Sequence, residues 1–553
     1  MKKNDQITLE ITGLGKDGEG VGHYNGMALF VPGALPGDVI TAGITKLKKS
    51  YGYARIVEIL TPSKNRVEAE CPVANRCGGC QIMNLSYPAQ LSMKQDLLRD
   101  DLVRLGGFDQ GFIEGIMEPI IGMSNPYHYR NKAQYPVGRT KDGEIQMGFY
   151  ARHSHRIIEP DDRKGCLLGN AGNTRILLAV KSWMYQNHIL PYDERTGKGL
   201  LRHILIRQGV HTDQTMVCLV ANGTKLPDTD NLVKKLREAD SSIVSIVMNI
   251  NHARNNVILG AETRCIWGEE VITDTIGDVT FDISAQSFFQ VNPEQMEKLY
   301  SKALAYAGLT GTEEVYDLYC GIGTISLFLA KAAGHVTGIE IVPSAIRDAH
   351  KNARYNRLEN TDFYVGATED VLPKIMEQRG KHADVIVLDP PRKGCEPSVI
   401  DTILAAAPEK VVYVSCDPAT LSRDLKLFCA DGSYELKKVC PVDQFPHTMH
   451  VETVCLLSKL HEAKHHINVK LDMDELDLTS AEAKATYKEI EEWVQEHYGF
   501  HVTNLNIAQV KQKHGIIERE NYNKPKSKNS RQPGCPEEKV KAIEEALKFF
   551  QMI

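Results

Sequence analysis

The chain has 553 residues, 42% of them hydrophobic and 25% charged, with a formal net charge of −6. That balance predicts a globular protein of about three or four domains at roughly 150 residues each. It excludes a globally basic nucleic-acid coat but leaves room for local basic grooves. No apolar stretch approaches the roughly 20 residues that span a bilayer, and "MKKNDQITLE" has no apolar core behind its lysines. A cytoplasmic protein without a membrane partner is therefore expected, and thirteen cysteines there point to ligands, nucleophiles or core residues rather than disulfides.

Residues 1–62 alternate β-branched and aromatic runs with Gly-Asp-Gly, Asn-Gly and Pro-Gly-Asp turns, which predicts a small β-barrel. Lys46, Lys48, Lys49, Tyr51, Tyr53 and Arg55 form a basic, aromatic stretch suited to an RNA-facing edge, or to a solvated edge protected against aggregation.

Residues 63–280 read as mixed α/β with little periodicity. "CPVANRCGGC" places Cys71, Cys77 and Cys80 within ten residues, and Gly78 and Gly79 let the loop fold round a soft metal centre. Cys166 in "DRKGCLLGN" is the candidate fourth ligand. At this point a four-thiolate zinc site and a [4Fe-4S] cluster both fit. "YHYRNKAQYPVGR" (127–139) mixes Tyr, Arg and Lys, a composition for stacking bases and holding phosphates or for an ordinary strand edge.

Residues 281–460 repeat strand, glycine turn and helix, which predicts a doubly wound parallel sheet. In "VYDLYCGIGTISLFLA" Gly321 and Gly323 let backbone approach a ligand at a helix N-terminus. Glu340 closes the next strand seventeen residues beyond Gly323, where a carboxylate accepts ribose hydroxyls. Asp389 in "ADVIVLDPPRKG" supplies an acidic strand end with a rigid turn. Three such elements in order favour S-adenosylmethionine over NAD. Cys416 follows the apolar run Val411–Val414, and Glu452 lies near the last strand. A thiolate beside a methyl donor answers one chemical problem: uracil C5 is a poor nucleophile until a thiolate adds at C6. Glu452 could then remove the C5 proton.

Residues 461–553 read as a small helical extension. Thr479 and Glu482 would cap a first helix ending at Gly499, a second would end at Gly515, "NKPKSKNSRQPG" would link, and Pro536 would open a third.

"SAQSFFQVNPEQ", "DLYCGIGTISL", "DPPRKG", "VSCDPATLSRD" and "HTMHVETV" together resemble the RNA uracil-5-methyltransferases, most closely the bacterial 23S rRNA members with an N-terminal TRAM domain. The resemblance covers roughly residues 5–460. It implies an OB-like TRAM barrel, a central α/β domain with an Fe-S cluster and a Rossmann-like class I methyltransferase domain, in a multidomain α/β chain. It implies that Gln290, Tyr319, Glu340 and Asp389 bind S-adenosylmethionine, that Cys416 is the nucleophile and Glu452 the base. It also implies that Cys71, Cys77, Cys80 and Cys166 hold [4Fe-4S]. Thr324 stands where some relatives carry Asn, and its side chain is given no role. The expected partner is 23S rRNA, for an enzyme acting as a monomer. The competing readings are the T-loop uridine of tRNA, methylation of an exocyclic amine, and a non-catalytic RNA-binding Fe-S protein.

Overall fold

A computed structural model describes residues 1–460 other than 162 and 381, together with 487–514 and 536–549. The expected Thr479–Glu482 cap, Gly515 and the 523–534 linker lie outside the described residues. The chain divides into two compact units, Met1–Glu462 and Ala463–Ile553.

The first six strands, Gln6–Glu10, Gly13–Leu14, Gly20–Tyr24, Met27–Val31, Val39–Leu47 and Tyr51–Thr61, form one sheet in the order first, fifth, sixth, fourth, third, second. Asn25 and Gly26, both at positive φ, make the two-residue turn between Tyr24 and Met27 that matches the twist of a hairpin. Period-2 alternation turns Leu9, Leu29, Val31, Ile40 and Ile44 into a common interior. Buried Asp38 accepts hydrogen bonds from the backbone N–H groups of Leu35 and Ser63 and pairs with Arg66, which pins the chain where it leaves the barrel.

The central sheet runs Glu262–Gly268, Ile243–Ile250, Gln214–Ala221, Leu201–Gly209, Lys132–Arg139, Ile145–Met147. Its parallel pair, Gln214–Ala221 and Ile243–Ile250, is joined through the helix Thr229–Ala239, as a parallel crossover requires. That helix and Gly172–Gln186 cover one face, where Trp183, Ile204, Val217 and Leu236 are buried together. Leu205, Met216 and Cys218 on the other face join the core of the C-terminal part through the hairpin Ile272–Ile276 and Val279–Ile283.

The C-terminal sheet has seven strands in the order Thr361–Val365, His335–Glu340, Glu314–Leu318, Val385–Leu388, Lys410–Ser415, Glu452–Lys459, Tyr434–Val442. The first five are parallel and the last two antiparallel. Near-continuous apolar strands such as Val385–Leu388 are buried on both faces, as helices on both sides demand. Strand order reverses beside Glu314–Leu318, which opens a crevice at the carboxyl ends of the strands. The helix Tyr87–Arg104, from the stretch 63–280, also packs here: Leu98 and Leu102 share a core with Leu421, Leu425 and Phe428.

The second unit contains the helices Tyr487–Tyr498, Asn504–Lys513 and Glu537–Phe549 around its own core of Ile490, Val494, Ile507, Val510, Ile543 and Leu547. Gly499, at φ +72°, ends the first helix as the sequence predicts.

Candidate active site and a four-cysteine cavity

The crevice at the strand ends is a cavity of about 710 Å³ lined by Gln290, Tyr319, Gly321, Glu340, Asp389, Cys416 and Glu452. Seven of the eight residues expected in the donor and catalytic sets thus meet in one place. Gly323 does not line it. At φ +82° it forms the N-cap of the helix Thr324–Ala330, and a Cβ there would press within 3.3 Å of the Phe363 ring. Its small size leaves room for the Phe363 ring behind the loop.

The glycine loop is held to the neighbouring strand. The backbone N–H groups of Tyr319 and Cys320 donate to the Ile339 carbonyl at 3.0 and 3.1 Å. Glu340 Oε2 accepts from the Gly321 N–H at 3.3 Å, and Oε1 from the Val342 N–H at 2.9 Å. The carboxylate is therefore fixed at the cavity wall before any ligand arrives. Tyr319 sits at φ +68°, a conformation a non-glycine residue adopts at a cost, directly where the strand turns into the loop.

Cys416 ends the strand Lys410–Ser415 and precedes Asp417, whose side chain caps the helix Pro418–Phe428 by accepting from the Ala419 and Thr420 N–H groups. Burial, with the charges of Glu452 and Asp389, pushes the Cys416 thiol up to about 12, against the opposing pull of Arg392. Glu452 is 2% exposed, and its Oε2 has no hydrogen-bond partner. Burial and the nearby Asp389 lift its carboxyl to about 8, and burial lifts Asp389 to about 7. A buried carboxyl poised near neutrality at the wall of a cavity suits proton transfer.

Several supporting residues carry no local sequence signal. Buried Asp424 accepts from the Cys395 N–H at 2.8 Å and the Tyr413 hydroxyl at 2.7 Å, and is paired with Arg423. It thereby ties the loop after Asp389 to the helix after Cys416. Arg392 and Phe445 also line the cavity. The loop of Phe445, just before Glu452, is held by a wholly buried ion pair between Lys94 and Asp443. Lys94 also donates to the Phe445 carbonyl at 3.0 Å, and the Tyr87 hydroxyl donates to Asp443 at 2.8 Å.

Cys71, Cys77, Cys80 and Cys166 line a second cavity of about 380 Å³, with Val73, Met83, Phe149, Ile158, Arg130 and Lys132. The Gly78 N–H donates to the Tyr150 carbonyl at 2.9 Å, and a Cβ on Gly78 would stand 2.7 Å from that oxygen, so only glycine fits. The Gly79 N–H donates to the Cys77 sulfur at 3.4 Å. Four thiols in one mainly apolar cavity can hold a thiolate-bound metal centre.

Residues 229–460 match the family described as tRNA (Uracil-5-)-methyltransferase, and residues 2–57 match the TRAM domain. A relative from Halalkalibacterium halodurans, named an uncharacterized RNA methyltransferase, is 49% identical over 457 residues, covering 83% of this chain and 98% of its own. One of the same name from Clostridium tetani is 47% identical, covering 84% and 98%. Among solved structures, the Pyrococcus abyssi tRNA (uracil-54, C5)-methyltransferase in complex with S-adenosyl-L-homocysteine is 27% identical. It superposes with a TM-score of 0.65 over 82% of this chain and 99% of its own. The chain belongs to the RNA uracil-5-methyltransferase family of S-adenosylmethionine-dependent enzymes and carries an N-terminal TRAM domain.

Proposed function

We propose that the protein methylates C5 of a specific uridine in 23S rRNA, acting as a monomer in the cytoplasm. The observation that carries the chemistry is the convergence of Cys416 and Glu452 on the same cavity wall as Gln290, Tyr319, Glu340 and Asp389. One chain supplies the whole set. S-adenosylmethionine supplies an electrophilic methyl group when bound, and Gln290, Tyr319, Gly321, Glu340 and Asp389 are the residues that hold it.

The uridine leaves its stack to enter the cavity, which suits a loop or bulge better than a rigid duplex. The Cys416 thiolate adds to C6, and the displaced electron pair makes C5 a carbon nucleophile toward the methyl group. Glu452 then takes the proton from C5, the C5–C6 double bond re-forms, and the Cys416 sulfur leaves. A thiol raised to about 12 needs help to ionise. Two features of this chain provide it. The positive charge of Arg392 favours the thiolate, and the N-terminus of the helix Pro418–Phe428 follows Cys416 directly.

Cys71, Cys77, Cys80 and Cys166 would hold a [4Fe-4S] cluster through all four thiolates, a structural or RNA-positioning part. Their shared, mainly apolar cavity supports a thiolate-bound centre.

A second reading places the same chemistry on the T-loop uridine of tRNA. It is favoured by the Pyrococcus abyssi tRNA enzyme, which this chain matches over 99% of that enzyme's length. Both readings are tested with 5-fluorouridine-substituted 23S rRNA and tRNA, S-adenosylmethionine, and wild-type or Cys416→Ala protein. Fluorine cannot depart as a proton, so a denaturation-stable protein–RNA band is expected with wild type and 23S rRNA. A band with tRNA alone would move the substrate assignment. Methylation of unsubstituted RNA without any band, or by Cys416→Ala, would replace thiolate chemistry with amine methylation. RNA binding without methylation would leave a non-catalytic protein.

A further inference from the structure

A third cavity, of about 330 Å³, opens at the far end of the central sheet. Its walls include Arg139, Arg156 and Arg195, the rings of Tyr150 and Tyr192, and His203. It shares no lining residue with the catalytic cavity. His203 and Arg207 lie four residues apart on one face of the strand Leu201–Gly209, so about 13 Å separates them. Arg207 in turn donates to the carbonyls of Ala285 and Ser287, at the foot of the loop that carries Phe288 and Gln290 into the catalytic cavity.

The chemistry of this cavity is left open by the fold. The guanidinium groups of Arg139, Arg156 and Arg195 are exposed, and among the described residues none has an ion-pair or side-chain hydrogen-bond partner. Two carboxylates in the wall are already engaged. Asp193 accepts from the Arg195 and Thr196 N–H groups of its own turn, and Glu194 holds His155 at 2.8 Å. Deeper in, Arg202 is 5% exposed, its Nη1 donating to the Asn251 and Ala253 carbonyls at 2.9 and 2.7 Å, and its guanidinium lies 4.3 Å from the Tyr192 ring. The Nε of Arg202 has no partner. His203 is 8% exposed, and its Nδ1 is likewise buried without a partner. Burial and the adjacent Arg202 lower its pKa to about 4, so at neutral pH it offers a neutral ring rather than a charge.

We infer that this cavity binds a second, unmodified nucleotide of the RNA substrate, its phosphates held by Arg139, Arg156 and Arg195 and its base read by the buried polar edge of His203 between aromatic rings. Guanidinium groups pair with phosphate, aromatic walls accept a base of any identity, and a buried unpaired nitrogen discriminates among bases because leaving it unmade is costly. The volume lies in the range of a small-ligand site. The inference rests on the RNA-modifying reading above and deepens it: substrate choice is made partly outside the catalytic cavity.

The test is equilibrium binding and steady-state kinetics of the full chain on its RNA, with R139A/R156A/R195A and separately His203→Gln and His203→Phe. The arginine variant is expected to raise the RNA Kd and KM at least tenfold, with kcat at saturating RNA unchanged. The slope of log K against log salt should become shallower by about 1.4, the value for the two single-strand phosphates that flank one nucleotide. His203→Gln, which keeps a neutral polar edge, is expected to preserve affinity better than His203→Phe. Unchanged KM and salt slope in the arginine variant would overturn the inference. So would saturable binding of free mononucleotides that the variant loses while RNA affinity stays intact, since the pocket would then serve a free nucleotide. Failure of the fluorouridine adduct with the salt-slope difference intact would sink the proposed chemistry and leave this pocket standing.

Discussion

Glu452 carries a raised carboxyl pKa, and the direction of its effects follows from that. Its folded value of about 8 lies above the ordinary 4.5, so the folded state holds the proton more tightly than the unfolded chain. Its contribution to stability is complete below about pH 4.5 and is lost as pH rises through about 8. Glu452→Gln is therefore expected to raise Tm more at pH 8.5 than at pH 5, measured by thermal melts at both values. The same substitution removes the acceptor for the C5 proton. With unsubstituted RNA it should halt after methyl transfer and accumulate a covalent protein–RNA adduct, visible on a denaturing gel, while kcat falls by at least 100-fold. In the wild type, kcat is expected to rise with pH across about 8 as the carboxylate forms; a profile flat from pH 6 to 9 would remove Glu452 from the base role. Cys416, Glu340 and Asp389 were legible in sequence because each closes an apolar strand, where α/β sheets gather ligands. Gln290 was not, since a glutamine in a loop has no spacing to mark it, and it entered only through resemblance. For Gly323 the turn and a close approach both ask for glycine, and the position of Phe363 behind it is not visible in the sequence.

The element that positions the site is the pair of segments tied by Asp424. Without its carboxylate, the Cys395 N–H and the Tyr413 hydroxyl lose their buried acceptor and the loop after Asp389 is freed from the helix after Cys416. Asp424→Asn is expected to lower stability by about 1–3 kcal/mol, the cost of imperfectly met buried polar groups, with kcat reduced and RNA affinity retained. Equal loss of kcat and affinity would mean general unfolding instead. The alternating strands of the barrel and the strand–helix repeat of 281–460 were readable because their periods are local. The central sheet was not. Its strands mix antiparallel and parallel neighbours, and Leu201–Gly209 is buried on both faces, on one by the side of the helix Gly172–Gln186 and on the other by the core that includes the hairpin Ile272–Ile276 and Val279–Ile283. Likewise, nothing near residue 94 announces that a lysine there is wholly buried.

At the scale of the whole molecule, the chain holds two units with separate cores. The first holds the barrel, the cysteine cavity and the active-site crevice; the second has its own apolar core. The family match ends at residue 460. A protein truncated after 460 is expected to keep its Tm and its kcat, and to bind RNA more weakly if the tail adds contacts. Unchanged RNA affinity would remove the tail from substrate recognition. Within the first unit no such division is available, because Tyr87–Arg104 packs on the C-terminal sheet and Lys94 depends on Asp443. Lys94→Met, which strands a buried aspartate, is expected to cost about 3–5 kcal/mol, checked by denaturant unfolding. Pairing it with Asp443→Leu should recover part of the loss.

The Lys94–Asp443 pair also sets a timetable for the newborn chain. The partners are 349 residues apart, so on a ribosome adding roughly 5–20 residues per second the lysine waits about 17–70 s for its aspartate. Through that interval the helix Tyr87–Arg104 has no sheet to cover Leu98 and Leu102, and its apolar face stays open to other nascent chains. Nonsense products that stop before residue 443 never acquire the cover, and they should be cleared or aggregate as a class.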